Sequence, residues 1–238
     1  MTGLEVLHVS NHVLCVVKPA CVPTVPDDSG DPSMVDLAKA WIGEEFGKPG
    51  AVFLGVVHRL DRPVSGVLAF ARTSKGAARL TQAFHDRVAR KTYVAVTSAA
   101  PEGGPEGEVR QWLVKRGSKN LVRSVPEGTE GARLAVTRYR VLAADGPRRL
   151  VRLEPVTGRP HQLRVAMASL GAPLVGDLKY GAEEPLADRS IALHAMALEV
   201  PHPTAPEPVR ARTAAPAGPG LPWRAFDAAL KELEAGLT

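Results

Sequence analysis

The chain has little cysteine and no long apolar segment. Only Cys15 and Cys21 occur among its 238 residues, and no apolar run approaches the roughly 20 residues that a transmembrane helix needs. The N-terminus, Met-Thr-Gly-Leu-Glu-Val, lacks a basic segment followed by an apolar one, so no secretory signal peptide is predicted. These absences predict a cytoplasmic protein that has no membrane contact and whose thiols are reduced.

Metal-binding and phosphate-binding motifs are absent as well. His8 and His12 lie near the two cysteines, but no second Cys/His pair follows with the spacing of a zinc site. No glycine-rich loop has the pattern that holds nucleotide phosphates. We therefore expect the cysteines to be packing residues and predict no metal site.

The charge is present and unevenly distributed. The net charge is +5, and residues 58–92 hold eight Lys/Arg against two Asp. Residues 109–124 hold five Lys/Arg and no acidic residue, and residues 148–164 hold five Arg against one Glu. This asymmetry indicates a basic face that binds a polyanion. The alternative is a solvated face without a partner.

Periodicity and turn residues predict an α+β chain. Short apolar runs predict strands at 5–10, 14–18, 92–96 and 191–200. Apolar residues at helical spacing predict three helices, which begin after Ser33, after Thr73 or Ser74, and near 160. Val88 is expected in the buried stripe of the second helix, and Pro160 in the first turn of the third. The middle third is rich in strands. It contains a predicted hairpin of 109–114 and 120–125, with its tip at 115–119, and paired strands at 132–142 and 149–155. We therefore predict a mixed, largely antiparallel sheet flanked by helices and loops.

Residues 56–73 organise the chain. They form an apolar run, a charged turn and a second apolar run, and Pro63 and Gly66 mark the turn. Asp61 therefore lies where a buried strand reaches the surface. By itself, a carboxylate between Arg59 and Arg62 is explained by a turn cap paired with an arginine.

Four blocks in order resemble the RluA-type pseudouridine synthases. They are Lys-Pro-Ala-Cys-Val-Pro (18–23), His-Arg-Leu-Asp-Arg-Pro-Val-Ser-Gly (58–66), Lys-Thr-Tyr-Val-Ala-Val (91–96) and Gly-Arg-Pro-His-Gln-Leu-Arg (158–164), the last followed by Pro-Leu-Val-Gly-Asp (173–177) and Tyr-Gly (180–181). Cys21 stands where the family usually has Gly, and Ala166 where it often has His. The resemblance runs from about residue 4 to residue 203.

The resemblance implies a pseudouridine synthase fold around a central cleft, with Asp61 as the catalytic residue. Tyr93 is then expected to line the base pocket, although a strand tyrosine alone is more often a core residue. Arg164 is expected to pair with Asp61, because a desolvated carboxylate without a cation takes up a proton. Arg59 is expected to fill the space of the flipped base and contact the RNA backbone.

The resemblance also implies a partner and a domain organisation. The partner is structured RNA, either rRNA or tRNA, and no cofactor is needed because the reaction is an isomerisation. We expect no separate S4-like RNA-binding domain ahead of the blocks. We therefore expect one catalytic domain over 1–238, acting as a monomer, with a Pro/Ala-rich segment and a terminal helix at 201–238.

Two other functions remain open at this stage. One is a non-catalytic RNA-binding protein on the same fold, which would have no need for Asp61, Tyr93 and Arg164 together. The other is a hydrolase that uses Asp61 with His58 or His161. It would need a second carboxylate or a metal cluster, which the sequence does not show.

Overall fold

The computed structural model describes residues 3–47, 50–116 and 121–237, and only the backbone of Arg116. The elements are β1 (Val6–Val9), β2 (Val13–Lys18), α1 (Met34–Glu45), β3 (Gly55–Val56), β4 (Ser65–Ala71), α2 (Ser74–His85), β5 (Arg90–Thr97), β6 (Glu106–Arg116), β7 (Leu121–Val125), β8 (Arg133–Asp145), β9 (Arg148–Pro155), α3 (Gln162–Ser169), a 3-10 turn (Leu178–Tyr180), β10 (Leu193–Val200), β11 (Val209–Arg212), a second 3-10 turn (Pro222–Phe226) and α4 (Asp227–Ala235). Within the described residues, no helix is long and apolar enough to cross a membrane.

The chain forms two compact units. The first comprises Met1–Arg90 and Ala195–Thr213, and the second comprises Lys91–His194 and Ala214–Thr238. Most strand pairs inside each unit are antiparallel, as in β2 with β4 and β8 with β9. The predicted α+β class with a largely antiparallel sheet is confirmed.

In the first unit, β1, β2, β4 and β10 lie side by side, β3 pairs with β4 and β11 pairs with β10. Val13, Ala69 and Val200 belong to one apolar core, against which Phe84 packs. Gly66 has φ +122, and a Cβ there would collide with the backbone of Ala195. Glycine is therefore required where β4 begins, four residues after the Arg62 turn.

In the second unit, the strand order is β5, β9, β8, β6, β7. The predicted hairpin is confirmed as β6 and β7, and its predicted tip lies partly outside the described residues, which resume at Leu121. A small apolar cluster under this hairpin contains Leu113, Val122, Ala135 and Val165, and Tyr180 packs against it. The α3 helix therefore covers the β6–β7–β8 part of the unit.

Helix ends follow the predicted signals only in part. Ser33 begins α1 as predicted, with a capping box to Asp36. Of the two predicted caps of α2, Thr73 and Ser74, the structure selects Thr73. Val88 was expected in the buried stripe of α2, but the helix ends at His85 and the Val88 side chain is 54% exposed. Pro160 was expected in the first turn of α3, but that helix begins two residues later.

Candidate active site

The turn that carries Asp61 lies in the first unit and is held through its backbone. Thr24 Oγ1 donates to Leu60 O over 2.9 Å and accepts from Leu60 N over 3.3 Å. On the other side of Asp61, Arg62 O accepts from Cys21 N over 2.8 Å. The residues before and after Asp61 are thus fixed to the 18–24 loop, while the Asp61 side chain is only half-buried.

Lys18, at the end of β2, is the charged group at the centre of this loop. Its side chain is fully buried, and Nζ donates to the carbonyls of Pro19, Val22 and Arg62 at 2.7 to 3.0 Å. Burial lowers the pKa of Lys18 to about 7, and the charges of Cys21 and Asp61 oppose that shift. Sequence reasoning missed this role, although a lysine ending an apolar run ahead of a proline was its signal.

Cys21 occupies a left-handed backbone position, with φ 66. This explains why the resembling family has glycine there, since glycine enters that region without a Cβ penalty. Cys21 nevertheless makes the loop contacts, because its N–H reaches Arg62 O and its carbonyl accepts from Arg62 Nε over 3.1 Å. The departure from the family pattern leaves the loop intact.

The arginines and histidine beside Asp61 have different partners. Arg62 forms ion pairs with Asp27 and Asp31. Arg59 is exposed, and within 3–47, 50–116 and 121–237 it makes no hydrogen bond or ion pair. His58 Nε2 accepts from Ala69 N over 2.9 Å, so this nitrogen is occupied by the backbone. Of the two arginines that flank Asp61, Arg62 therefore has carboxylate partners, and Arg59 has none among the described residues.

Tyr93 and Arg164 both lie in the second unit. Tyr93 is a buried residue of β5, opposite Leu153 of β9. Lys91 is two residues earlier on the same strand face, and burial lowers its pKa to about 8. The structure thus places a cation on the strand face that carries Tyr93.

Arg164 is held by side chains. Its Nε and Nη2 donate to the two carboxylate oxygens of Asp177, both at 2.7 Å, and both side chains are buried. Its Cζ lies 4.9 Å from the centre of the Tyr180 ring. Asp177 and Tyr180 belong to the sequence blocks that resemble the family, but the sequence does not predict their contacts with Arg164. The predicted contact between Arg164 and Asp61 joins the two units and stays a prediction.

The Lys and Arg side chains of the basic segments fall into two groups, those that form ion pairs with carboxylates and those that do not. In the second unit Arg110 and Arg138 pair with Glu108, Arg140 pairs with Glu106, and Arg152 contacts Glu154. By contrast, three exposed cations around the β6–β7 hairpin have side chains that make no ion pair or hydrogen bond within the part of the chain that the structure describes: Lys115, Arg123 and Arg133. In the first unit, Arg72 donates to Ser10 O and lies over Phe46, so it has a packing role.

Comparison with known proteins gives one consistent result. Residues 12–169 match the family model described as RNA pseudouridylate synthase. An RNA pseudouridine synthase of Bacillus subtilis, YhcT, is 35% identical over 90% of this chain and 69% of its own length. The dual-specificity RNA pseudouridine synthase RluA of Haemophilus influenzae is 33% identical over 84% and 88%. The solved structure of human RNA pseudouridylate synthase domain containing 4 matches with a TM-score of 0.75 and 26% identity, over 96% of this chain and 92% of that one.

Proposed function

Because the chain belongs to the RNA pseudouridylate synthase family, we propose that Asp61 is its catalytic residue and that Arg59, Tyr93 and Arg164 bind the target uridine. The chain is an isomerase that converts uridine in RNA to pseudouridine. The reaction breaks the N1–C1′ bond, turns the base and joins C5 to C1′. It requires neither a redox change nor a group donor, so the proposal includes no cofactor.

The observation that carries the role of Asp61 is the fixation of its backbone on both sides. Leu60 is bound by Thr24, and Arg62 is bound by Cys21 and Lys18, so the backbone that carries the carboxylate is fixed while its half-buried side chain keeps access to substrate. A fixed reacting group lowers the entropic cost of the reaction. Asp61 then either attacks C1′ or accepts the C2′ proton, and both roles suit a carboxylate.

The other residues act on the substrate and on the carboxylate. Arg164, fixed by Asp177, would place its positive charge at the Asp61 carboxylate. Tyr93 would stack on the released uracil. Arg59 is exposed and lacks a partner in the described residues, as a group that enters the space of a flipped base requires.

RNA phosphates would be held by the unpaired cations around the β6–β7 hairpin. Lys115, Arg123 and Arg133 are exposed without ion pairs among the described residues, whereas the neighbouring Arg138 and Arg140 already have carboxylate partners. Each phosphate contact releases counterions, so RNA affinity falls with salt. The substrate class is structured rRNA or tRNA, and the chain acts as a cytoplasmic monomer with one catalytic domain.

The substitution Asp61→Asn tests the catalytic role. The amide keeps the size of the side chain but neither attacks carbon nor accepts a proton, so turnover falls by at least roughly a thousandfold while RNA affinity and folding stay near wild type. Tritium release from RNA labelled at C5 of uridine measures turnover, and filter binding measures affinity.

The matched control is Asp86→Asn, an exposed carboxylate in the same unit. It should leave turnover unchanged. Appreciable tritium release by Asp61→Asn would remove Asp61 from its role. A wild-type protein that binds RNA tightly and releases no tritium would support a non-catalytic RNA-binding protein instead.

A further inference from the structure

We propose that Tyr180 is a positioning residue with two separable tasks. Its hydroxyl ties the edge strand β7 to the start of α3, and its ring holds the guanidinium of Arg164 in place. This inference rests on the proposed function, which gives the β6–β7 hairpin a role in RNA binding and Arg164 a role at Asp61. It assigns both roles to one side chain.

The hydroxyl of Tyr180 joins two parts of the second unit. Val122 N donates to Tyr180 Oη over 3.0 Å, and His161 Nδ1 lies 2.6 Å from the same oxygen. A backbone N–H can only donate, so Tyr180 Oη accepts from Val122, and the same oxygen shares a hydrogen bond with Nδ1 whose direction is set by the tautomer of His161. Since β7 is the last strand in the order of this unit, the hydroxyl occupies a donor on the edge of the hairpin.

The partner on the helix side is itself held in an unusual conformation. His161 is buried and has φ 52 and ψ 15, the left-handed region, directly before Gln162. A non-glycine residue keeps this backbone only when its surroundings fix it. The ring of His161 also meets the Tyr180 ring edge-on, with centres 5.7 Å apart. Tyr180 is thus one of the groups that fix the start of α3.

The ring of Tyr180 acts on Arg164, one turn into α3. The guanidinium lies over this ring at 4.9 Å, while Asp177 binds its Nε and Nη2 edge. Tyr180 N donates to Asp177 O over 3.0 Å, so the group at the face and the group at the edge of Arg164 belong to one short segment. A planar cation held on its edge and on its face has one orientation.

Two substitutions separate the tasks. Tyr180→Phe keeps the ring and removes the hydroxyl, so we expect RNA affinity to fall about fivefold, as the loss of its hydrogen bond to β7 predicts. Its turnover at saturating RNA should stay within about twofold of wild type, because the ring still faces Arg164. Tyr180→Leu removes both tasks, and its turnover at saturating RNA should fall at least about tenfold further, because Arg164 loses the cation–π contact.

The matched control is Tyr139→Phe. Tyr139 is a buried tyrosine of the same unit whose hydroxyl donates to Gly104 O over 3.3 Å, and its loss should change neither RNA affinity nor turnover. Dissociation constants come from filter binding with a transcript of large-subunit ribosomal RNA, and turnover comes from tritium release. Thermal unfolding of each variant shows that the comparison is made between folded proteins.

Unchanged RNA affinity in Tyr180→Phe would overturn the proposed role of the hydroxyl in binding β7. This test uses Tyr180→Phe alone, so it does not require that Tyr180→Leu folds. Equal turnover of folded Tyr180→Phe and Tyr180→Leu would overturn the role of the ring. The binding measurement does not depend on chemistry. If the wild type releases no tritium from this transcript and none from labelled tRNA, the proposed function fails, while the affinity of Tyr180→Phe still decides the tie.

Discussion

Asp61 and Arg164 are held by opposite means. The turn around Asp61 is fixed by hydrogen bonds to its backbone, at Leu60 and Arg62. Arg164 is fixed by side chains, with the Asp177 carboxylate on one edge and the Tyr180 ring on its face. Asp61 stays half-buried, whereas Arg164 and Asp177 are almost fully buried.

The difference follows from the work that each residue is proposed to do. A carboxylate that meets the substrate needs a fixed backbone and an accessible side chain, so the residues on either side of Asp61 are held by hydrogen bonds. A buried arginine needs a counter-charge, because an unpaired cation in a low-dielectric interior is costly. Substitution of single side chains should therefore affect the two regions differently.

The largest effect is expected at Asp177. Asp177→Asn keeps the shape of the side chain but leaves the buried Arg164 without its carboxylate, so the free energy of unfolding should fall by about 3 to 5 kcal/mol. Urea denaturation monitored by circular dichroism measures it. The control is Glu106→Gln, which breaks the exposed pair with Arg140 in the same unit and should leave stability unchanged. Equal losses of stability in the two variants would contradict the dependence of buried Arg164 on its carboxylate partner.

An intermediate effect is expected at Lys18, whose side chain binds the backbone of the Asp61 turn at Arg62 O. Lys18→Met fills a similar volume but leaves buried carbonyls without their donor, at a cost of about 2 kcal/mol of stability. Turnover should fall by on the order of tenfold to a hundredfold, because the Asp61 turn loses its link to the 18–24 loop. A variant with wild-type turnover would show that Thr24 and Cys21 suffice.

The effect of Lys18→Met should also depend on pH. The folded-state pKa of Lys18 is about 7, against the ordinary 10.5 that the unfolded chain keeps. Between these values the unfolded state binds more protons, so wild-type stability rises with pH relative to a variant without the amine. The stability deficit of Lys18→Met should therefore grow from pH 7 to pH 10 in urea titrations. A deficit that shrinks over this range would contradict the lowered pKa.

The smallest effect is expected at Cys21, and it has the opposite sign. Cys21→Gly removes the Cβ from a left-handed position and should raise the free energy of unfolding by about 0.5 kcal/mol, after the entropic cost of glycine is deducted. The neighbouring Ala20 lacks a positive φ, so Ala20→Gly should instead lower stability by about 0.5 to 1 kcal/mol. Chemical denaturation of both variants compares the signs, and the same sign in both would refute the backbone explanation.

Much of the local structure was determined by the sequence itself. Ser33 and Thr73 mark the starts of α1 and α2, and the alternating middle third predicts the β6–β7 hairpin and the β8–β9 pair. These signals are short-range, because a cap or a turn acts on residues three or four positions away. The family also follows from the sequence, since its motifs are continuous blocks.

The tertiary structure decided which groups hold those motifs. Lys18 reaches a carbonyl 44 positions away, and Arg164 takes its carboxylate from Asp177, which no helical or strand spacing indicates. Val88 follows the predicted apolar spacing and is nevertheless exposed, because α2 ends before it. Local patterns fix the elements, but burial and long-range pairing depend on which segments meet, and only the folded chain brings those segments together.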